Sequence, residues 1–196
     1  GYVGHELMVP NPGDFQVLPA RDDAQMLVRN AQGIELLSNV CRHRQAVMLR
    51  GRGQSPGGSH IVCPLHRWTY ALDGKLAGAP HFAEDPCLNL RQYPLQRWNG
   101  LIFEGKDRAV PAELAALDAK SVGMLDFSGY VYDRAQLHEC NYNWKTFIEV
   151  YLEDYHVVPF HPGLGKFVTC EDLKWEFAPW ASLQTVGINA TLARAG

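Results

Sequence analysis

Short apolar runs bounded by turn-forming residues fill the first hundred positions. Residues 25–29, 34–38, 60–63 and 101–104 are such runs. Between them lie Asn11-Pro12-Gly13-Asp14, residues 30–33, Ser55-Pro56-Gly57-Gly58, Asp73-Gly74 and Asn99-Gly100. Runs of this length and spacing predict the strands of an antiparallel sandwich. Asp-Gly and Asn-Gly pairs predict tight hairpins, because the favoured two-residue turn needs positive φ at both central positions.

The pattern changes after Gly105. Val110-Pro111-Ala112-Glu113-Leu114 reads as a helix start, with proline and an acid in the first turn. This places a boundary at residues 106–110, with an all-β domain over 1–106 and a second domain over 107–196. In the second domain, residues 129–132 read as a strand. Residues 144–155 read as an amphipathic helix, since Phe147, Ile148, Tyr151, Leu152 and Tyr155 recur at intervals of three and four. Residues 175–178 and 183–190 read as two further strands, giving an α+β chain. The sequence starts at Gly1 rather than Met, which is the mark of a fragment or trimmed chain.

Composition narrows the function classes. Apolar residues make up 46% of the 196 and charged residues 20%, as in an ordinary globular domain. A net charge of −3 gives no reason to expect nucleic acid or an anionic membrane surface as partner. No apolar run approaches the ~18 residues that would span a bilayer. Five cysteines, an odd number without a leading signal segment, argue against a disulfide scaffold and for a reducing, cytoplasmic setting. Cys87, Cys140 and Cys170 have no spaced partner and read as buried thiols.

The other two cysteines carry chemistry. Cys41-Arg42-His43 and Cys63-Pro64-Leu65-His66 each follow a predicted strand, and two thiols with two imidazoles form a metal-ligand set. One zinc would take all four in a tetrahedron. A 2Fe–2S cluster of the Rieske type would take two thiolates on one iron and two imidazoles on the other. The asymmetric spacing, Cys-x-His and then Cys-x-x-His, together with the flanks Asn39-Val40 and Arg67-Trp68-Thr69-Tyr70, resembles the Rieske pattern. In that family two loops clasp the cluster and a proline-rich loop often covers it; residues 79–86 are the candidate cover. The chain departs from the pattern at Gln45 and Arg67, where the family usually has glycine, and in a slightly long connection between the two loops.

The second constellation lies in Glu153-Asp154-Tyr155-His156-Val157-Val158-Pro159-Phe160-His161. Glu153 and His156 share a helix face, whereas His156 and His161 lie about 140° apart around an ideal helix. Pro159 predicts a bend through Val158 that brings His161 back. Two histidines at such a bend suit non-haem Fe(II), whose remaining positions stay open to dioxygen and substrate.

Taken together, the two constellations resemble the α subunit of Rieske non-haem iron oxygenases, the ring-hydroxylating oxygenases, over essentially the whole chain and as an N-terminal portion. The resemblance implies a Rieske sandwich, then part of an antiparallel helix-grip catalytic domain. It implies a 2Fe–2S cluster on Cys41, His43, Cys63 and His66, and Fe(II) on His156 and His161. Glu153 stands where an acid bridges the two centres for electron transfer, with Asp154 as the fallback. The third iron ligand, a carboxylate far along the chain, lies beyond residue 196. Implied partners are a reductase, with or without a ferredoxin, O2 and a small organic substrate, in a homotrimer or α3β3 assembly. The expected reaction is mono- or dioxygenation, by hydroxylation or demethylation, of a substrate expected to be aromatic, although Glu at the bridging position also occurs in members acting on choline- or carnitine-like amines. Two rivals stand beside it. A Rieske ferredoxin would carry electrons only and would need just the first 105 residues. A zinc-bound structural module would need no sulfide.

Overall fold

A computed structural model describes residues 1–56 and 58–189. Gly57 in the expected 55–58 turn, the thiol of Cys170 and the last position of the expected 183–190 strand lie outside the described residues. The chain forms two compact units. The first comprises Gly1–Pro111 and Asp126–Leu137; the second comprises Ala112–Leu125 and the chain from His138 onward.

The first unit holds eleven strands: β1 (Tyr2–His5), β2 (Asp14–Val17), β3 (Gln25–Arg29), β4 (Ile34–Ser38), β5 (Arg52–Gln54), β6 (His60–Val62), β7 (Thr69–Ala71), β8 (Leu76–Gly78), β9 (Gln92–Tyr93), β10 (Leu95–Trp98) and β11 (Leu101–Glu104). They make three antiparallel sheets, ordered β5-β2-β3-β4-β9, β6-β7-β8 and β1-β11-β10. The five-stranded sheet is apolar on both faces. Alternate side chains point to opposite faces, so Val17, Met26, Val28 and Leu37 enter one core with Ile61, Trp68 and Tyr70. Leu27, Ile34 and Leu36 enter a second core with Val9 and Ile102. This explains why β3 carries the unbroken apolar run Met26-Leu27-Val28 rather than an alternating pattern. Each fully buried aliphatic side chain stabilises the fold by roughly 1.5–3 kcal/mol.

The β10–β11 hairpin turns on Asn99 and Gly100, at φ of 52° and 81°. This is the mirror-image turn that the Asn-Gly pair predicts. Asp73-Gly74 behaves differently, lying within a longer connection between β7 and β8. Residues 129–132 are not a strand. The Tyr130 N–H bonds back to the Phe127 carbonyl, Arg52 lies over the Tyr132 ring, and the Arg52 guanidinium donates to the Asp133 carbonyl. The segment is thus held by side chains and turns instead of a strand ladder.

The helices are α1 (Val110–Leu114), α2 (Ala119–Gly123), α3 (Trp144–Tyr151) and α4 (Val157–Phe160). The second unit closes with β12 (Val168–Ala178) and β13 (Ala181–Ile188), an antiparallel pair. Asn143 caps α3 by accepting from the Lys145 N–H. The helix expected over 144–155 stops at Tyr151, before the proline. Glu153 turns its carboxylate onto the His156 backbone N–H, and this local bond competes with helical hydrogen bonding. Pro159 lies inside the first turn of α4, where a missing N–H leaves no helical bond unmade. Among the described residues, no helix is long and apolar enough to cross a membrane.

Candidate functional site

Cys41 and Cys63 begin two loops of the same construction. In one, the Cys41 N–H bonds to the Ala46 carbonyl and the Gln45 N–H returns to the Cys41 carbonyl. In the other, Cys63 N–H bonds to Trp68 and Arg67 N–H returns to Cys63. Each loop closes through a residue in the left-handed region, Gln45 at φ 56° and Arg67 at φ 62°. These are the two positions where the sequence departs from the family's glycines. Glycine adopts that conformation without a Cβ penalty, which explains the family pattern, and unbranched Gln and Arg are tolerated there. Gln45→Val should destabilise the first unit by about 1–2 kcal/mol, and Gln45→Gly should change it by less than about 1 kcal/mol, in thermal melts.

The ligand candidates come together as two pairs. The Cys41 and Cys63 thiols are both buried and near enough to influence each other electrostatically. The His43 and His66 rings meet edge to face at 4.8 Å. Burial, ahead of the opposing Leu65 and His66 N–H groups, pushes the Cys63 thiol above its ordinary value, and Cys41 adds to the rise. Burial, then His66 and Arg44, lowers the His43 imidazole, favouring its neutral form. Among the described residues, no three His, Cys, Asp or Glu side chains converge as a single-ion site. A thiol pair beside an imidazole pair fits two irons better than one tetrahedral zinc. His43 Nδ1 is buried without a hydrogen-bond partner, as a nitrogen reserved for a metal would be.

Aromatic rings fix one side of this site. Trp68, 1% exposed, stacks on His43 at 4.9 Å and 5°. Phe82, from the expected cover segment, meets His43 at 5.9 Å and Trp68 at 5.1 Å, edge to face. Tyr70, fully buried, brings its hydroxyl to 3.4 Å from Cys41 Sγ and accepts the Arg42 N–H at 3.0 Å. With its lone pair engaged by Arg42, the hydroxyl proton is free for the sulfur.

Sequence reasoning used Asn39 only as a flank, yet it pins the first loop. Its side-chain NH2 donates to the Asp23 and Leu49 carbonyls, and its Oδ1 accepts the Leu49 N–H, each at 2.9 Å. Strand parity carries the signal: Leu37 and Cys41 enter one core, so the intervening Asn39 must also point inward. Cys87 and Cys140, read as buried thiols, are exposed in loops. Without a spaced partner, cysteine burial is set by tertiary packing that the local sequence does not encode.

The second constellation lies between α3 and α4. His156 and His161 bracket α4, and their rings meet at 5.4 Å. His156 Nδ1 donates to Glu153 Oε1 at 2.5 Å. A carboxylate has no proton to give, so this bond fixes the proton on Nδ1 and leaves Nε2 as the lone pair for a metal. Burial opposes ionisation of Glu153; the His156 ring and the His156 and Tyr155 N–H groups outweigh it and hold the carboxyl below its usual range. The two rings open on a cavity of about 480 Å³ whose apolar wall includes Phe147, Val150, Tyr151 and Val157. Its polar groups include Glu153, Asp154, His156, His161 and Gln184, with no Lys or Arg lining it among the described residues. Two imidazoles, one oriented by a carboxylate, beside a cavity are the residues that would hold a mononuclear iron.

Two family models match the chain. Residues 2–94 match the Rieske [2Fe-2S] domain, and residues 127–195 match the ring hydroxylating alpha subunit (catalytic domain). The chain is 63% identical over 195 residues to putrescine 2-hydroxylase of Ralstonia nicotianae, covering 100% of this chain and 52% of that protein. It is 30% identical over 180 residues to the carnitine monooxygenase oxygenase subunit of Escherichia coli (strain K12), covering 85% and 46%. The fold superimposes on the quaternary ammonium Rieske monooxygenase CntA with a TM-score of 0.76 at 23% identity, over 97% of this chain and 56% of that one. The chain thus spans about half the length of the curated relatives it matches. With its Rieske domain followed by part of the α-subunit catalytic domain, the chain belongs to the Rieske ring-hydroxylating oxygenases, a family of oxidoreductases whose cofactors are a 2Fe–2S cluster and a mononuclear Fe(II).

Proposed function

We propose that this chain supplies the electron-relay and oxygen-activating parts of a cytoplasmic oxygenase that hydroxylates an aliphatic amine. The observation that carries the reading is the His156–His161 pair, backed by Glu153 and open to a cavity, in a chain that also brings Cys41, Cys63, His43 and His66 together. The proposed division is a cluster domain over 1–106 and a catalytic portion over 107–196. When bound, the cluster passes single electrons and the Fe(II) activates dioxygen. Cys41, His43, Cys63 and His66 would hold the former, His156 and His161 the latter. Glu153 would orient His156 and serve as the bridging acid. Electrons would come from a reductase, directly or through a ferredoxin, to a trimeric oxygenase.

The substrate expectation is corrected here. The relatives matching across the whole chain are putrescine 2-hydroxylases, and the next are named for carnitine and choline. A salicylate 5-hydroxylase matches over only 40% of the chain. An amine fits the carboxylate-lined cavity better, with putrescine as the first compound to test. An electron carrier alone would not require the 127–195 catalytic match.

Iron and acid-labile sulfide analysis, with EPR of the reduced protein, tests this reading. The expected result is two irons and two sulfides in the low-average-g signal of a histidine-ligated cluster, plus further iron that disappears in His156→Ala. One zinc and no sulfide would overturn it. A second expectation concerns Tyr70→Phe. Reduction adds negative charge near Cys41, so the Tyr70 hydroxyl favours the reduced state. Losing a bond of about 0.5–1.5 kcal/mol should lower the potential by roughly 20–65 mV, read by redox titration.

A further inference from the structure

The two ligand loops share one construction but differ at the residue that closes each. The Ala46 carbonyl accepts the Cys41 N–H at 2.9 Å, and the Trp68 carbonyl accepts the Cys63 N–H at 2.8 Å. Each follows a left-handed residue, Gln45 or Arg67. At this matched place the first loop carries a methyl group and the second an indole. The indole crosses to the first loop and lies flat on His43, 5° from its plane, while Phe82 meets both rings edge to face. Among the described residues, His66 meets no aromatic ring other than His43. His43 is half-buried, whereas His66 is exposed. Trp68 Nε1 is buried with no hydrogen-bond partner among the described residues. A buried N–H left unpaired destabilises, so the indole is held by its faces and not by its polar atom.

We propose that Trp68 is a positioning residue that locks the His43 ring and lowers the reduction potential of the cluster, leaving His66 as the solvent-facing ligand. The inference rests on the assignment of Cys41, His43, Cys63 and His66 as the cluster ligands. Two effects act in the same direction. In the oxidised cluster the two ferric irons are balanced by two sulfides and two thiolates, and one-electron reduction leaves a negative charge. Excluding water from one imidazole disfavours that charged form. The face of an indole is the negative part of its quadrupole, so it also opposes negative charge added beside it. The Tyr70 hydroxyl favours the reduced state from the sulfur side, and Trp68 opposes it from the imidazole side. Rotation of His43 would drive the edge of its ring into the indole. Trp68 is packed in the first core and has little room to yield, so the same contact fixes the plane of the imidazole.

Redox titration of the intact, cluster-loaded oxygenase, followed by EPR, tests the assignment. At the parent's midpoint potential, Trp68→Leu should raise the ratio of reduced to oxidised cluster about three- to tenfold. Tenfold corresponds to about 59 mV for one electron. The EPR lines of the reduced cluster should broaden as His43 gains orientations. Trp68→Phe keeps a ring face and loses the N–H; it should stay within about twofold of the parent, with narrow lines. Phe82→Ala removes a half-exposed ring outside the core and should raise the ratio about twofold. That variant decides the matter if Trp68→Leu fails to hold its cluster. An unchanged potential in Trp68→Leu, or in Phe82→Ala where Trp68→Leu does not load, would overturn the assignment. So would a falling ratio, or a shift in Trp68→Phe as large as in Trp68→Leu, either of which would give the effect to the indole N–H instead. If the parent protein holds no cluster of two irons and two sulfides, the ligand assignment fails and this inference fails with it. A loaded parent with unshifted variants would sink this inference alone.

Discussion

Asn39→Ala is expected to destabilise the first unit by roughly 3 kcal/mol and to empty its metal site. The side chain is fully buried and makes three hydrogen bonds, two to carbonyls and one to an N–H. Each net bond contributes about 1 kcal/mol, and leaving its buried partner unsatisfied costs about 1–3 kcal/mol. Asp23 and Leu49 lie on opposite sides of Asn39 in sequence, so the amide ties the end of β4 to the turn before β3 and to the chain leaving the first ligand loop. Cys41 begins two residues later, and its N–H must still reach Ala46 for the loop to close. Asn39→Asp should do no better, because a carboxylate cannot donate to the two carbonyls. Denaturant unfolding and the absorbance of the reconstituted cluster read the effect. A cluster formed at parental yield in Asn39→Ala would show that the loop closes without this pin.

Much of the first unit was legible because its strands obey local rules. Residues 25–29, 34–38 and 101–104 are strands with the bounds their apolar runs suggest. Asn99-Gly100 makes the turn its side chains demand. The candidate ligands stood out through their paired spacing and flanks, since Cys and His in paired clusters have few other uses. The matched closure of the two loops was not, because it depends on carbonyls and N–H groups common to every residue. Its trace was the pair of missing glycines at Gln45 and Arg67, whose meaning appears only with their φ values. The second unit was less legible. Residues 129–132 have strand-like composition but no neighbouring strand to pair with, and tertiary contacts of Tyr132 and Asp133 decide their path. The bend that brings His161 toward His156 was expected from Pro159. It arises earlier, from the Glu153 side chain, because a side-chain bond to a backbone N–H outcompetes the helix before the proline is reached.

That double engagement of Glu153 makes its replacement the most informative change in the second unit. Glu153→Gln should reduce turnover of the intact oxygenase by roughly 10–100-fold, the usual loss when the carboxylate behind a metal-ligating histidine is replaced. The amide oxygen can still accept the Nδ1–H, so the bend and the ring orientation survive. The charge that holds the proton on Nδ1 does not survive, and a charge-assisted bond is about twice as strong as its neutral counterpart. Glu153→Ala removes the acceptor as well. It frees the imidazole to rotate and the His156 N–H to rejoin a helix, so iron content should fall with turnover. Comparing the two variants separates the two roles of the carboxylate. If its charge also gates electron passage between the centres, Glu153→Gln should keep its iron and reduce its cluster normally, yet slow reoxidation of that cluster by O2 in a single turnover with substrate. If Glu153 only positions His156, reoxidation should track iron occupancy in both variants. Parental turnover in Glu153→Gln would remove the charge from both roles and leave the 2.5 Å contact with His156 a purely geometric constraint.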